Sequence, residues 1–213
     1  MRGVVLLHGI SRTARSLRAM ERRLIAEGYL TANLDYPSRR SDLSDIVDGL
    51  IPAVRTFAEG LDGPLHLVTH SMGGLVARAL LTRYRPPRLG RVVMLAPPNG
   101  GSEIADLLHR WWPYRRWFGP AGGQLGTRRE ERMTQLLGTI DYELGVIAGS
   151  RSINPLGSLL LPRPNDGRVS VVATQMPGLS GHIVLPTTHP GIVNNRACIE
   201  QAVTFLRDGH FAP

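Results

Sequence analysis

The 213-residue chain contains no lysine, a single cysteine and no apolar run long enough to cross a bilayer. Each absence narrows what it can be. A lone thiol, Cys198, forms no internal disulfide and anchors no cysteine-based metal cluster. The core must therefore hold itself together by burial, for which a chain of this length suffices. Cys198 lies in an amphipathic helical pattern and reads as a small buried apolar residue. With apolar runs well short of the roughly 18 residues a spanning helix needs, no membrane-spanning segment is expected. The opening Arg2-Gly3-Val4-Val5-Leu6-Leu7-His8-Gly9 is a short strand-like run without a small-residue cleavage pattern behind it. It does not read as a signal peptide, and cytoplasmic residence is the expectation. Without lysine, all 25 basic residues are arginine, and against 17 carboxylates they give a net charge of +8. Pairs such as Arg39-Arg40, Arg115-Arg116 and Arg128-Arg129 are scattered, with no nucleic-acid motif around them. That pattern points to a compositional bias and away from nucleic-acid binding. The field it creates favours an anionic substrate or transient contact with a lipid interface.

What is present is an alternation. Short runs rich in Val and Leu, at 4–7, 30–34, 65–69, 91–95, 145–148 and 169–173, are separated by helical patterns at 14–27, 43–58, 72–84 and 192–207. Apolar strands alternating with helices predict a single α/β domain over 1–213, with about six mostly parallel strands and helices on both faces. Only 101–140 interrupts the rhythm. It carries Trp111, Trp112, Tyr114, Trp117 and Phe118, then a glycine-rich stretch at 119–126. Dense aromatics beside a glycine hinge fit a cap over the sheet's active end, and they fit equally an excursion anchored in the core. Trp111, Trp112, Trp117 and Phe118, together with His8, His70 and His182, are the expected pocket and cap residues.

The chemistry centres on Ser71. In Leu65-His66-Leu67-Val68-Thr69-His70-Ser71-Met72-Gly73-Gly74-Leu75 an apolar run of strand length stops at a serine, and a helical pattern follows at once. A turn that tight holds the hydroxyl above the end of a sheet, provided the residues two before and two after are small. Gly73 meets that demand, while Thr69 crowds the leading position. A serine that merely caps a helix is the plainer alternative. A serine nucleophile needs a base, and the base needs a carboxylate to fix its tautomer. In an open α/β sheet these come from loops at the carboxyl ends of strands, in the order Ser, Asp or Glu, His. Asp166, in Pro164-Asn165-Asp166-Gly167 beside an apolar run, is the expected acid, although Asn-Asp-Gly is also a common turn. Asp141 and Glu143 precede their strand and so lie at the wrong end. His189, in Thr187-Thr188-His189-Pro190-Gly191 ahead of the last helix, is the expected base. His182, which begins Ile183-Val184-Leu185, reads as a pocket or structural residue. Two N–H donors for an oxyanion are expected from Met72, at the start of its helix, and from Ile10, in the glycine-containing loop after the first strand. His8 is expected to organise that loop and not to move protons.

These residues together resemble the α/β-hydrolase family, and within it the lipase and esterase branch. Val4-Val5-Leu6-Leu7-His8-Gly9-Ile10 is similar to the oxyanion strand and loop, Thr69-His70-Ser71-Met72-Gly73-Gly74 to the nucleophile elbow, and Ala96-Pro97-Pro98-Asn99-Gly100-Gly101-Ser102 to a segment after the next strand in many lipases. The ending His189-Pro190-Gly191-Ile192-Val193 resembles the tail of the small minimal-core bacterial lipases, in which the histidine of a Gly-His-Ile-Gly-Leu-Leu stretch is the base. The resemblance implies a minimal α/β-hydrolase fold that opens at the oxyanion strand, and an esterase or lipase acting on acyl esters through an acyl-enzyme. Those small lipases are secreted and lack a sizeable lid. Here no export signal is visible and 101–140 is long enough to form one, so an intracellular esterase is expected. The same constellation serves thioesterases, amidases and acyltransferases, and a non-catalytic acyl-ligand binder on the same scaffold is the alternative outside enzymes. No metal or organic cofactor is implied.

Overall fold

A computed structural model describing residues 1–101, 120–122, 126, 131–153 and 160–213 turns this alternation into one sheet. β1 (Gly3–Leu7) leads through a 3-10 turn (Ala14–Leu17) into α1 (Arg18–Ala26), then β2 (Leu30–Leu34), α2 (Leu43–Glu59), β3 (Leu65–His70), α3 (Met72–Arg83) and β4 (Leu89–Leu95). The second half runs through α4 (Glu131–Leu137), β5 (Leu144–Gly149), the helical turn α5 (Val171–Thr174), β6 (Gly181–Leu185) and α6 (Arg196–Asp208). The strand order is β2-β1-β3-β4-β5-β6, and every neighbouring pair is parallel.

A parallel sheet covered on both faces buries every side chain of its central strands, which is why those strands read as unbroken apolar runs. In β1, Val5 and Leu7 enter the core shared with α2 and α3, whereas Val4 and Leu6 enter the opposite core shared with α1 and α6. β1 and β3 are wholly buried at the centre. After β1 the chain adds β2 on one side, then crosses back to place β3 on the other. The loops leaving β1 and β3 therefore diverge, and the crevice between them is where open α/β sheets bind ligands. Ile10 and Ser71 lie on those two loops.

Two expectations about the second half need correction. Residues 169–173 are not a strand: Ser170 caps a helical turn, its Oγ accepting the Ala173 N–H at 3.2 Å, and Val172 is exposed. The sixth strand is instead β6, which pairs with β5 from Gly145↔Gly181 to Gly149↔Leu185. The last helix begins at Arg196 and not at 192, because Gly191 to Asn194 form turns and the Asn195 side chain caps the helix by accepting the Cys198 N–H. Cys198 is fully buried, as its pattern required. No helix among the described residues is long and apolar enough to cross a membrane. Within the segment 101–140, residues 102–119, 123–125 and 127–130 lie outside the described residues, and Trp111, Trp112, Tyr114, Trp117 and Phe118 with them. Ala121 is buried in the core shared with α2 and α3, against which α4 also packs.

Candidate active site

Where β3 ends, Ser71 turns the chain with φ 54° and ψ −125° before Met72 opens α3. A positive φ is strained for any residue with a Cβ. It is held here by the Ser71 N–H donating to the Leu95 carbonyl at 2.8 Å and by the Gly74 N–H donating to the Ser71 carbonyl at 2.9 Å. Gly73 makes the turn possible: a Cβ there would stand 2.4 Å from the Leu7 carbonyl oxygen and 2.8 Å from that of His8. A Cβ at 74 would stand 3.0 Å from Pro97 Cβ and 3.1 Å from Met94 Sδ, so the second glycine lets α3 sit close against the end of β4, while Thr69 Oγ1 at 3.5 Å is in ordinary contact.

Three loops at the carboxyl ends of β3, β5 and β6 bring Ser71, Asp166 and His189 into one chain of contacts. The Ser71 hydroxyl lies 3.0 Å from His189 Nε2, and His189 Nδ1 lies 2.7 Å from Asp166 Oδ2. The serine O–H donates to an unprotonated Nε2 and the Nδ1–H donates to the carboxylate, which is the tautomer a general base requires. Asp166 is anchored on its other oxygen, Oδ1, by the Arg168 N–H at 2.9 Å and the Val169 N–H at 2.8 Å. The Asn165-Asp166-Gly167 turn thus aims the Asp166 carboxylate, with Gly167 at φ 93°. The His189 loop is fixed twice: the His189 N–H donates to the Asp166 carbonyl at 3.0 Å, and its carbonyl accepts the His70 Nε2–H at 3.1 Å. All three residues are buried, with Ser71 the most accessible at 8%.

Above the serine, neither the Met72 N–H nor the Ile10 N–H donates to an acceptor among the described residues. Met72 begins a helix, where free N–H groups and the helix dipole favour negative charge. Gly9 brings the other loop close, since a Cβ on it would stand 3.0 Å from His70 Nδ1 and 3.1 Å from Ser71 Cβ.

The remaining histidines separate by location. His8 is fully buried, donates from Nδ1 to the Gly9 carbonyl at 2.9 Å and stacks on Tyr36 with ring centroids 4.1 Å apart. Burial lowers its pKa, opposed by the Gly9 carbonyl and Asp35. His70 is held well below the ordinary histidine range by burial and then by His189. It braces the backbone of His189. His182, expected among the pocket residues, sits in β6 with its Nε2–H donating to Thr174 Oγ1 at 2.8 Å. Asp141 and Glu143 lie at the opposite end of the sheet, paired with Arg85 and Arg91. Among the described residues no group of three or more His, Cys, Asp or Glu could hold a metal ion. The sequence reading missed Tyr36, whose hydroxyl donates to the His8 carbonyl. The signal lay in Leu34-Asp35-Tyr36-Pro37, an aromatic directly beyond the end of β2.

A model of the alpha/beta hydrolase family matches residues 4–210. No curated protein matches the sequence. Among solved structures the chain is similar to the mature lipase BlEst2 of Bacillus licheniformis, with a TM-score of 0.81 and 20% identity over 96% of this chain and 90% of that one. It is similar to one of the metagenome-derived lipolytic enzymes LipS and LipT, with a TM-score of 0.64 and 16% identity over 97% of this chain and 93% of that one. It is also similar to phospholipase PlaB of Legionella pneumophila, with a TM-score of 0.65 and 21% identity over 82% of this chain and 46% of that longer one. At such identities the likeness is one of fold.

Proposed function

The chain belongs to the α/β-hydrolase family, and on that premise we propose that it is a serine hydrolase that cleaves carboxylic esters of small acyl substrates through an acyl-enzyme. The observation that carries this reading is the unbroken contact from the Ser71 hydroxyl through the His189 ring to the Asp166 carboxylate. Ser71 Oγ attacks the ester carbonyl as its proton passes to His189 Nε2. Asp166 Oδ2 holds the Nδ1–H and balances the imidazolium that forms. The carbonyl oxygen, now negative, accepts from the Ile10 and Met72 N–H groups, whose orientation is set before the substrate arrives. The ester C–O bond breaks, His189 returns its proton to the departing alcohol, and the acyl group stays on Ser71. Water then attacks along the same route with His189 as base, releasing the acid and regenerating the serine. Support for esters over amides or thioesters comes from the proteins of like fold, described as a lipase, a lipolytic enzyme and a phospholipase.

Turnover of p-nitrophenyl esters of increasing acyl length, measured beside matched thioester and anilide analogues, tests the reaction class. The expected outcome is ester turnover that depends on Ser71 and exceeds the anilide and thioester rates. A protein that turns over the thioester best, or none of them in a Ser71-dependent way, would overturn the reading.

A further inference from the structure

The N–H of Ile10 belongs to the same planar peptide as the carbonyl of Gly9, so whatever holds that carbonyl also points the amide. The Gly9 carbonyl accepts from His8 Nδ1 at 2.9 Å and from the Arg12 N–H at 3.2 Å. The preceding peptide is held by its carbonyl too, because the His8 oxygen accepts the Tyr36 hydroxyl. That oxygen also faces the nucleophile helix, since a Cβ on Gly73 would stand 2.8 Å from it. Tyr36 thus reaches the oxyanion loop in two ways, with its hydroxyl on the His8 backbone and its ring face on the His8 imidazole, the two rings lying within 5° of parallel. Neighbouring contacts fasten the same two loops together: the Ser11 N–H donates to Ser38 Oγ at 3.2 Å and the Ala14 N–H donates to Asp35 Oδ1 at 2.6 Å. The Tyr36 side chain is buried in the core shared with α2 and α3, so it is a fixed post and not a mobile surface group.

From this geometry we infer that Tyr36 is a positioning residue for ester hydrolysis: it locks the His8-Gly9-Ile10 backbone so that the Ile10 N–H stays aimed at the developing oxyanion. The inference rests on the esterase reading, in which that amide is an oxyanion donor. Tyr36 touches no reacting atom. Its effect is confined to the transition state, because the ground-state ester carbonyl needs that N–H less than the tetrahedral oxyanion does.

Tyr36→Phe keeps the stacked ring and removes only the hydroxyl. Rates for this variant and for the wild type would be normalised to active sites titrated with a fluorophosphonate, well below each thermal midpoint, with Ser71→Ala, which forms no adduct, measured per mole of protein as the blank. The expected result is a kcat about tenfold lower with KM within twofold. The affinity of a trifluoromethyl ketone, which forms an oxyanion on Ser71, should weaken by the same factor as kcat/KM. A purely structural role would lower the thermal midpoint and leave both kcat per active site and ketone affinity unchanged, and that result would overturn the inference while the esterase reading stood. Tyr36→Leu, which loses the stack as well, should fall further in kcat than Tyr36→Phe; equal rates in all three Tyr36 forms would also overturn it. If the wild type itself shows no Ser71-dependent turnover, the esterase reading falls and takes the inference with it.

Discussion

The two ends of the sheet use the same chemical groups to opposite ends. At the amino end, Asp141 pairs with Arg85 and Glu143 with Arg91 on the open surface, where water screens the charges and can replace either partner. At the carboxyl end, Asp166 and His189 are 2% and 3% exposed, and water can replace nothing. There each side-chain polar atom of Asp166 and His189 has a partner: two backbone N–H groups on one carboxylate oxygen, the imidazole on the other, and the serine hydroxyl on the far ring nitrogen. Burial orients the Asp166–His189 pair, and among the described residues the positive φ angles outside glycine, at Ser11, Ser71 and Ala96, all fall at this same end. Charge alone does not mark a site; desolvation combined with complete hydrogen bonding does.

Substitutions should therefore divide by end. The largest effect belongs to Ser71→Ala and His189→Ala, each expected to lower ester turnover by about 10^5 to 10^6, with the double variant little worse than either single one. Asp166→Asn should keep the fold and lower kcat by roughly 10^3 to 10^4, since an amide favours the wrong imidazole tautomer. At the elbow, Gly73→Ala drives a methyl into the Leu7 and His8 carbonyls and should cost roughly 2–3 kcal/mol in chemical denaturation. A smaller effect should appear in the pH dependence of stability. Burial and then Arg91 and Arg2 push the His66 pKa down to about 4, and burial also lowers His8, His70 and His182. Because the unfolded chain takes up these protons first, stability is complete above about pH 6.5 and declines as the pH falls toward 4. Denaturant midpoints across that range should show the decline, and His66→Gln should make it shallower. The smallest effect is at the exposed end, where Asp141→Asn should change neither turnover nor thermal midpoint measurably. A clear loss of activity there would break the contrast between the two ends.

The elbow was legible because its constraints are local. A strand, a serine, two glycines and a helix within ten residues leave one backbone solution, and Gly73 declares the close approach of Leu7 and His8 directly. The meeting of Asp166 and His189 beside Ser71 was legible from their order and from the turn residues beside them. The strand near 170 was misread because Val169, Val171 and Val172 carry strand propensity, while Ser170 captures the Ala173 N–H and starts a helical turn. β6 was missed for the complementary reason: it lies at the sheet edge, only partly buried, so its side chains do not form a wholly apolar run. Tyr36 escaped notice because its bond to the His8 carbonyl spans two loops that only the crossover of β1, β2 and β3 makes neighbours. His70 was expected only as a pocket residue, because the partner it holds lies far along the chain at His189. Contacts fixed by topology leave no local signature.

The central claim is that Ser71 is an activated nucleophile driven by His189 and Asp166. Intact-mass and peptide analysis after brief exposure to a fluorophosphonate tests it most directly. The account expects one phosphonyl group per chain, located on Ser71, absent in Ser71→Ala and formed far more slowly in His189→Ala and Asp166→Asn. Labelling that survives in Ser71→Ala, or that proceeds at the wild-type rate without the imidazole of His189, would contradict it.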